Sequence, residues 1–199
     1  MGQLHAVNNG KAHQLRTDDD QLLRAVTRGD QAAFETIHRR HASRLLNFAR
    51  RVTGDHEAAE EVTNDTFLVV WRKSDRFQGR SKASTWMFGI AYRLAIKQRQ
   101  KRNGRTQELD LDSCEIPAGD DTADTIVQRR DLRNALQKLK PDLRTIVELT
   151  FFEGYLYSET ADILGCPVGT VKSRMATAKN ELRHHLSETA TSASLAVAA

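Results

Sequence analysis

YSETADILGCPVGTVKSR, residues 157–174, passes from an acidic segment through Gly165 and Pro167 into a basic one. The apolar period is helical on both sides, so the stretch predicts helix, sharp turn, helix. A helix-turn-helix needs a small residue where its helices touch, a residue that tolerates the turn, and an apolar residue that locks the second helix. With Tyr157 counted first, Ala161 is fifth, Gly165 ninth and Val171 fifteenth, the places for those three. Val168, Val171, Met175, Ala178 and Leu182 form the stripe expected to be buried. Lys172, Ser173 and Ala176 then face the other way, toward a DNA major groove. Thr170, Arg174, Thr177, Lys179 and Arg183 flank them within reach of bases or phosphates. The competing reading is a pair of surface helices with a solvated basic face. Size, spacing and charge together favour the DNA reader.

Outward from this stretch the helical period continues. Ile126, Leu132, Leu136 and Leu139 mark one helix. Pro141 suits the first turn of the next, which carries Ile146, Val147 and Leu149 inside and has Gly154 just past its end. Before them, residues 107–124 hold seven Asp and Glu and no Lys or Arg, with Pro117 and Gly119 inside. That composition reads as a flexible acidic linker. Four more helices precede it. Thr17-Asp-Asp-Asp20 opens the first with a capping residue and carboxylates favoured at the positive helix end. Leu22, Leu23 and Val26 follow at helical spacing. Phe34, Ile37, Leu45, Phe48 and Val52 share one face of the second, which breaks at Gly54-Asp55. The third spans about 56–72, with Ala59, Val62, Phe67, Leu68 and Trp71 expected inward. A polar loop, 73–82, leads to the fourth, about 84–102, whose end is basic. No segment alternates as a strand does. The expected fold class is all-α: two small helical domains on an acidic linker, the second containing the helix-turn-helix. The expected boundaries are a disordered arm at 1–16, a domain at 17–105, the linker at 106–123, a domain at 124–186 and a disordered tail at 187–199.

Composition narrows the function. The chain has 199 residues and a net charge of +4. Cys114 and Cys166 have neither the count nor the spacing of a disulfide framework or a zinc knuckle, which suits a reducing, cytoplasmic setting. The polar N-terminus does not read as a signal peptide, and no stretch approaches a membrane span. Histidines 5, 13, 38, 41, 56, 184 and 185 invite a metal reading, but only His38 and His41 lie at offset three and no His-Glu-x-x-His set exists. There is no glycine-rich phosphate loop or nucleophile elbow. No catalysis, metal or cofactor is expected.

Two further stretches, GDHEAAEEVTNDTFLVVW (54–71) and FQGRSKASTWMFGIAYRLAIKQRQKR (77–102), carry a family resemblance. Together with YSETADILGCPVGTVKSRMATAKNEL they resemble regions 2 and 4 of bacterial RNA polymerase sigma factors of the extracytoplasmic-function (group IV) class. The resemblance covers about 18–186, with both motif sets in order. It implies promoter-specific transcription initiation. The N-terminal domain would bind the polymerase core and melt the minus-ten element. The C-terminal domain would read the minus-thirty-five element, and the linker would thread through the polymerase. RNA polymerase core and promoter DNA are the implied partners, and an anti-sigma factor or other regulator is a further candidate. By residue, it implies polymerase binding by Glu60, Glu61, Asn64 and Asp65. It implies minus-ten contacts by Phe77, Arg80, Trp86, Tyr92, Arg93 and Lys97. The residues agree: Glu60, Glu61 and Asp65 form a negative patch, while Arg93, Lys97, Arg99, Lys101 and Arg102 form a cationic track beside aromatics that can stack on unpaired bases. Two departures stand out. Ala58 occupies a place where the family often has Asp, so a weaker polymerase contact is expected. Arg93 and Lys97 stand where Asn and Asp are common. A polymerase-independent helix-turn-helix regulator would explain 157–186 but not the acidic helix, the aromatic-basic helix or the linker.

Overall fold

The computed structural model describes residues 18–103 and 123–197, with side chains described over 18–101 and 130–187. The expected arm (1–16) and the acidic linker, apart from its last residue Ala123, lie outside the described residues. Among the described residues every regular element is helical. Among the described residues no helix is long and apolar enough to cross a membrane. The chain divides into two units, one holding the described residues 18–103 together with Asp162–Gly165 and the other holding 123–161 and 166–197.

The first unit is built by its caps and its apolar stripes. Helix α1 covers 18–27. Asp30 accepts a hydrogen bond from the Ala33 amide at 3.0 Å and starts α2, Gln31–Thr53. Gly54 ends α2 at φ 70°, a left-handed conformation that a Cβ disfavours, and its amide donates to Arg50 O. Asp55 then caps α3, His56–Lys73, through the Ala58 amide at 2.7 Å. A single 3-10 turn, Ser74–Arg76, and the loop 77–82 lead to α4, Ala83–Asn103. Leu23, Val26, Ile37, Leu45, Phe48, Val62, Val70, Met87 and Phe88 fill the core, and Ala49, Ala59, Ala91 and Ala95 let the helices approach closely. The Phe48 and Phe88 rings lie 5.2 Å apart.

The three carboxylates of α1 serve a purpose beyond the helix end. Asp18 and Asp19 hold the two terminal nitrogens of Arg40 at 2.6 and 2.8 Å. Asp19 also reaches His41 Nε2 at 2.8 Å. Asp20 accepts from the Ala83 amide at 2.8 Å, capping α4. The run therefore ties α1 to both α2 and α4. Burial pushes the Asp19 carboxyl upward, but hydrogen bonds and positive charge from His41 and Arg40 outweigh it, so its pKa lies below 3.8.

The second unit comprises α5 (Ala123–Lys138), α6 (Pro141–Val147), a π-helical turn (Glu148–Phe152), α7 (Tyr157–Leu164) and α8 (Val168–Val197). Arg144 of α6 binds carbonyls at the end of α5, Leu136 at 2.9 Å and Gln137, and that of Leu139 just past it at 3.2 Å. Those are acceptors that a helix end otherwise leaves open. Leu136, Leu139, Leu143, Ile146, Leu149, Val171, Met175 and Ala178 form the core. Gly154 ends the wide turn at φ 72°, as the sequence places it, but the π-helical turn itself has no sequence forecast. Helix α8 continues through Val197, where a disordered tail was expected from 187 to 199. Ala190, Ala193, Leu195 and Ala196 are strong helix formers that extend it.

Three expected inward residues point elsewhere. Leu68 is 44 % exposed, Val168 is 38 % exposed, and Trp71 is only half-buried. Val168 is the first residue of α8, so no preceding helical turn covers it. Leu68 and Trp71 lie where α2 and α3 leave a groove, described below.

Candidate functional site

Helix α8 presents the outward polar face that its sequence predicts. Ala161 is buried, Gly165 sits in the turn at φ 66°, and Val171 is fully buried. Val171, Met175 and Ala178 pin one side of α8 to the core. Helical geometry then turns Lys172, Ser173 and Ala176 outward, and all three are exposed. Ser173 Oγ donates to Thr170 O at 3.1 Å and Thr177 Oγ1 to Ser173 O at 3.2 Å. Both hydroxyls are thereby oriented with lone pairs free to accept from outside. Thr170 is half-buried and Thr177 exposed. Arg174 is drawn toward Asp142 of α6 at 3.8 Å, and Lys179 lies over the Phe151 ring, 5.8 Å from its centroid. Arg183 donates to Asn180 Oδ1 at 3.1 Å.

The first unit carries two more surfaces. On α4, Trp86, Arg93 and Lys97 fall at offsets of seven and four, hence on one stripe. Arg93 and Lys97 are exposed, Tyr92 and Trp86 half-buried. The Arg93 guanidinium folds back along the helix, where a Cβ on Gly89 would come within 3.3 Å of it. Phe77 from the preceding loop meets Trp86 at 5.8 Å between ring centroids. Arg80 is exposed in the same loop. Phe88 belongs to the core instead, with Phe48 on its face.

On α3, Glu60, Glu61, Asn64 and Asp65 are all exposed and share one face. Ala58 is 6 % exposed and lies beside this patch, toward the core. Thr63 is buried with its hydroxyl donating to Ala59 O at 2.7 Å, so it takes no part in this exposed patch.

Sequence reasoning missed what lies beside the carboxylates. Phe34, Glu35, His38, Asn64, Leu68 and Trp71 line a groove of about 630 Å³ between α2 and α3. The Phe34 ring meets Trp71 edge-on at 5.2 Å, and His38 lies 4.4 Å from Phe67. Phe34/His38 and Phe67/Trp71 are four-residue pairs, a pattern that periodicity assigns to core. Among the described residues no cluster of three or more His, Cys, Asp or Glu could hold a metal ion.

Comparison with known proteins fits this arrangement. Residues 17–188 match the sequence profile of the family described as ECF sigma factor. The chain is 32 % identical over 179 residues to ECF RNA polymerase sigma factor SigK of Mycobacterium tuberculosis, covering 87 % of this chain and 96 % of that protein. It is 31 % identical over 176 residues to the RNA polymerase sigma-H factor of Pseudomonas aeruginosa, covering 82 % and 91 %. Among solved structures, it is similar to the sigma factor RpoE of Bartonella quintana in complex with the anti-sigma factor NepR. That match has 29 % identity, a TM-score of 0.63, and covers 77 % of this chain and 96 % of that one. CnrH, solved with the cytosolic domain of CnrY, shares the fold at a TM-score of 0.65 and 23 % identity, over 86 % of this chain and 98 % of that one. The chain belongs to the ECF sigma factor family. It is a transcription-initiation factor of bacterial RNA polymerase, and both helical units fall within the match, which a polymerase-independent helix-turn-helix regulator does not explain.

Proposed function

We propose that the three surfaces divide the work of promoter recognition. The groove between α2 and α3, with Glu60, Glu61, Asn64 and Asp65 at its edge, docks on core polymerase. Phe77, Arg80, Trp86, Tyr92, Arg93 and Lys97 hold the melted minus-ten strand, the rings stacking on bases and the cations meeting phosphates. Helix α8 reads the minus-thirty-five element through Lys172 and Ser173, with Thr170, Arg174, Thr177 and Lys179 on flanking phosphates. The observation that carries this reading is the exposed Lys172–Ser173–Ala176 face set opposite the buried Val171, Met175 and Ala178. Such work on polymerase and DNA takes place in the bacterial cytoplasm and calls for no catalysis by this chain. The Bartonella quintana relative is bound by an anti-sigma factor; a protein regulator of the same kind would silence this chain by covering these surfaces.

The direct test is transcription in vitro with core polymerase on promoter fragments selected from genomic DNA. Promoter-dependent transcripts that require this chain support the reading, and their absence with an active core overturns it. Within that assay, Lys172→Ala is expected to weaken promoter binding by about 1–3 kcal/mol, the range of one base contact. Binding titrations on a promoter with and without its upstream element check this. Wild-type binding to both would remove Lys172 from base reading. The double change Arg93→Ala, Lys97→Ala is expected to spare closed complexes and slow opening. Permanganate reactivity of the melted thymines follows that step, and unchanged reactivity would take both side chains out of the role.

A further inference from the structure

Phe151 is 63 % exposed at the end of the π-helical turn, while its neighbours Glu148 and Leu149 are buried. A lone exposed phenylalanine is ordinary. What sets this one apart is its partner. Lys179 Nζ lies 5.8 Å from the ring centroid, inside the range of attraction between an ammonium and an aromatic face. Lys179 also stands seven residues after Lys172, two turns along the groove-facing stripe of α8.

Two of the cations that flank the reading face, Arg174 and Lys179, are thus held in opposite ways. Arg174 has a carboxylate, Asp142, at 3.8 Å. A carboxylate competes with phosphate for the same charge. An aromatic face does not: it orients the ammonium, accepts no conventional hydrogen bond, and leaves the full positive charge and its N–H donors for another anion. A lysine on an open helix surface loses much rotamer freedom when it grips a phosphate. One already held by a ring loses less, which is the gain of preorganisation.

We propose that Phe151 is a positioning residue for promoter binding: its ring holds the Lys179 ammonium in place to meet a DNA phosphate beside the minus-thirty-five element. This rests on the assignment of α8 to DNA made above. It adds a residue outside the helix-turn-helix to the binding machinery. It also gives the wide turn a use, since that turn carries Phe151 at its exposed side.

The test uses the full-length chain assembled with core polymerase, and a promoter duplex selected from genomic fragments by the wild-type holoenzyme. Affinity is titrated across a range of salt for Phe151→Ala, Phe151→Leu, Phe151→Tyr, Lys179→Ala and the double variant Phe151→Ala, Lys179→Ala. Phe151→Ala and Phe151→Leu are expected to weaken binding about 2–5-fold, the range for one exposed cation–ring contact. Both should also flatten the salt dependence toward that of Lys179→Ala, which loses about one unit of slope with its phosphate. Phe151→Tyr restores both values, and Phe151→Ala adds nothing once Lys179 is gone. A purely structural role would not move the salt slope. Wild-type affinity and slope in Phe151→Leu overturn the proposal. So does an equal loss from Phe151→Ala with and without Lys179, or a loss of core-polymerase affinity with DNA binding intact. If Lys172→Ala weakens binding and Lys179→Ala does not, this inference alone falls. If neither does, the DNA assignment of α8 falls with it.

Discussion

Leu68→Asp is expected to lower affinity for core polymerase by at least ~2 kcal/mol, about 30-fold, while leaving the fold intact. Leu68 is 44 % exposed on the free protein, so the change costs the isolated chain little. In a docked complex the same carboxylate is driven into a groove lined by Phe34, Leu68 and Trp71, where it has no partner and loses its water. Glu61→Lys, at the edge of the groove, is expected to act more weakly, because Glu61 stays exposed and edge charges are screened. Its effect should grow as salt is lowered. A core-binding titration of the two variants at two salt concentrations, with helicity followed by circular dichroism, separates the contributions. Equal affinity for wild type and Leu68→Asp would mean that the groove takes no part in docking. A larger loss from Glu61→Lys than from Leu68→Asp would make the carboxylates the main anchor.

Asp19→Asn is expected to destabilise the protein by about 3 kcal/mol, the cost of removing one partner from a buried charge pair. The side chain is 11 % exposed and holds Arg40 and His41 together, the latter almost fully buried. Without the carboxylate, the buried His41 ring loses its partner at Nε2 and Arg40 keeps only Asp18. Denaturant unfolding at neutral pH measures the loss. The sign of the acid effect follows from the depressed pKa. The unfolded chain binds the Asp19 proton more tightly than the folded one. The stabilisation is therefore complete above the unfolded carboxylate range, about pH 4, and disappears as pH falls through the lower folded value. Wild type should lose this increment on acidification and Asp19→Asn should have none to lose. Parallel acid profiles for the two would show that the pair contributes nothing to the fold.

Much of this was legible in the residues. The all-α class followed from periodicity without alternation, and the break read at Gly54-Asp55 is where α2 ends and α3 begins. The helix-turn-helix was legible in more detail, because its demands are local. Ala161, Gly165 and Val171 lie within one stretch of eighteen residues, so sequence spacing maps directly onto their places about the turn. The same holds for the outward face of Lys172, Ser173 and Ala176, which follows once Val171 and Met175 are known to be buried.

What the sequence could not decide lies between elements. Periodicity states the angle of a side chain about its own helix axis but not how closely the next helix approaches it. Phe34, Leu68 and Trp71 have the period of core residues, yet α2 and α3 leave a groove there and Phe48 and Phe88 close up elsewhere. Asp18, Asp19 and Asp20 read as a helix start, and only the fold brings Arg40, His41 and the Ala83 amide to them. Ala58 and Thr63 sit among carboxylates in the chain but face the core in the helix. Phe151 and Lys179 are separated by twenty-eight residues, and it is the packing of α6 and its wide turn against α8 that brings ring and ammonium together. Local order was set by the chain itself; the surfaces proposed to meet polymerase and DNA were set by where neighbouring helices approach and where they stay apart.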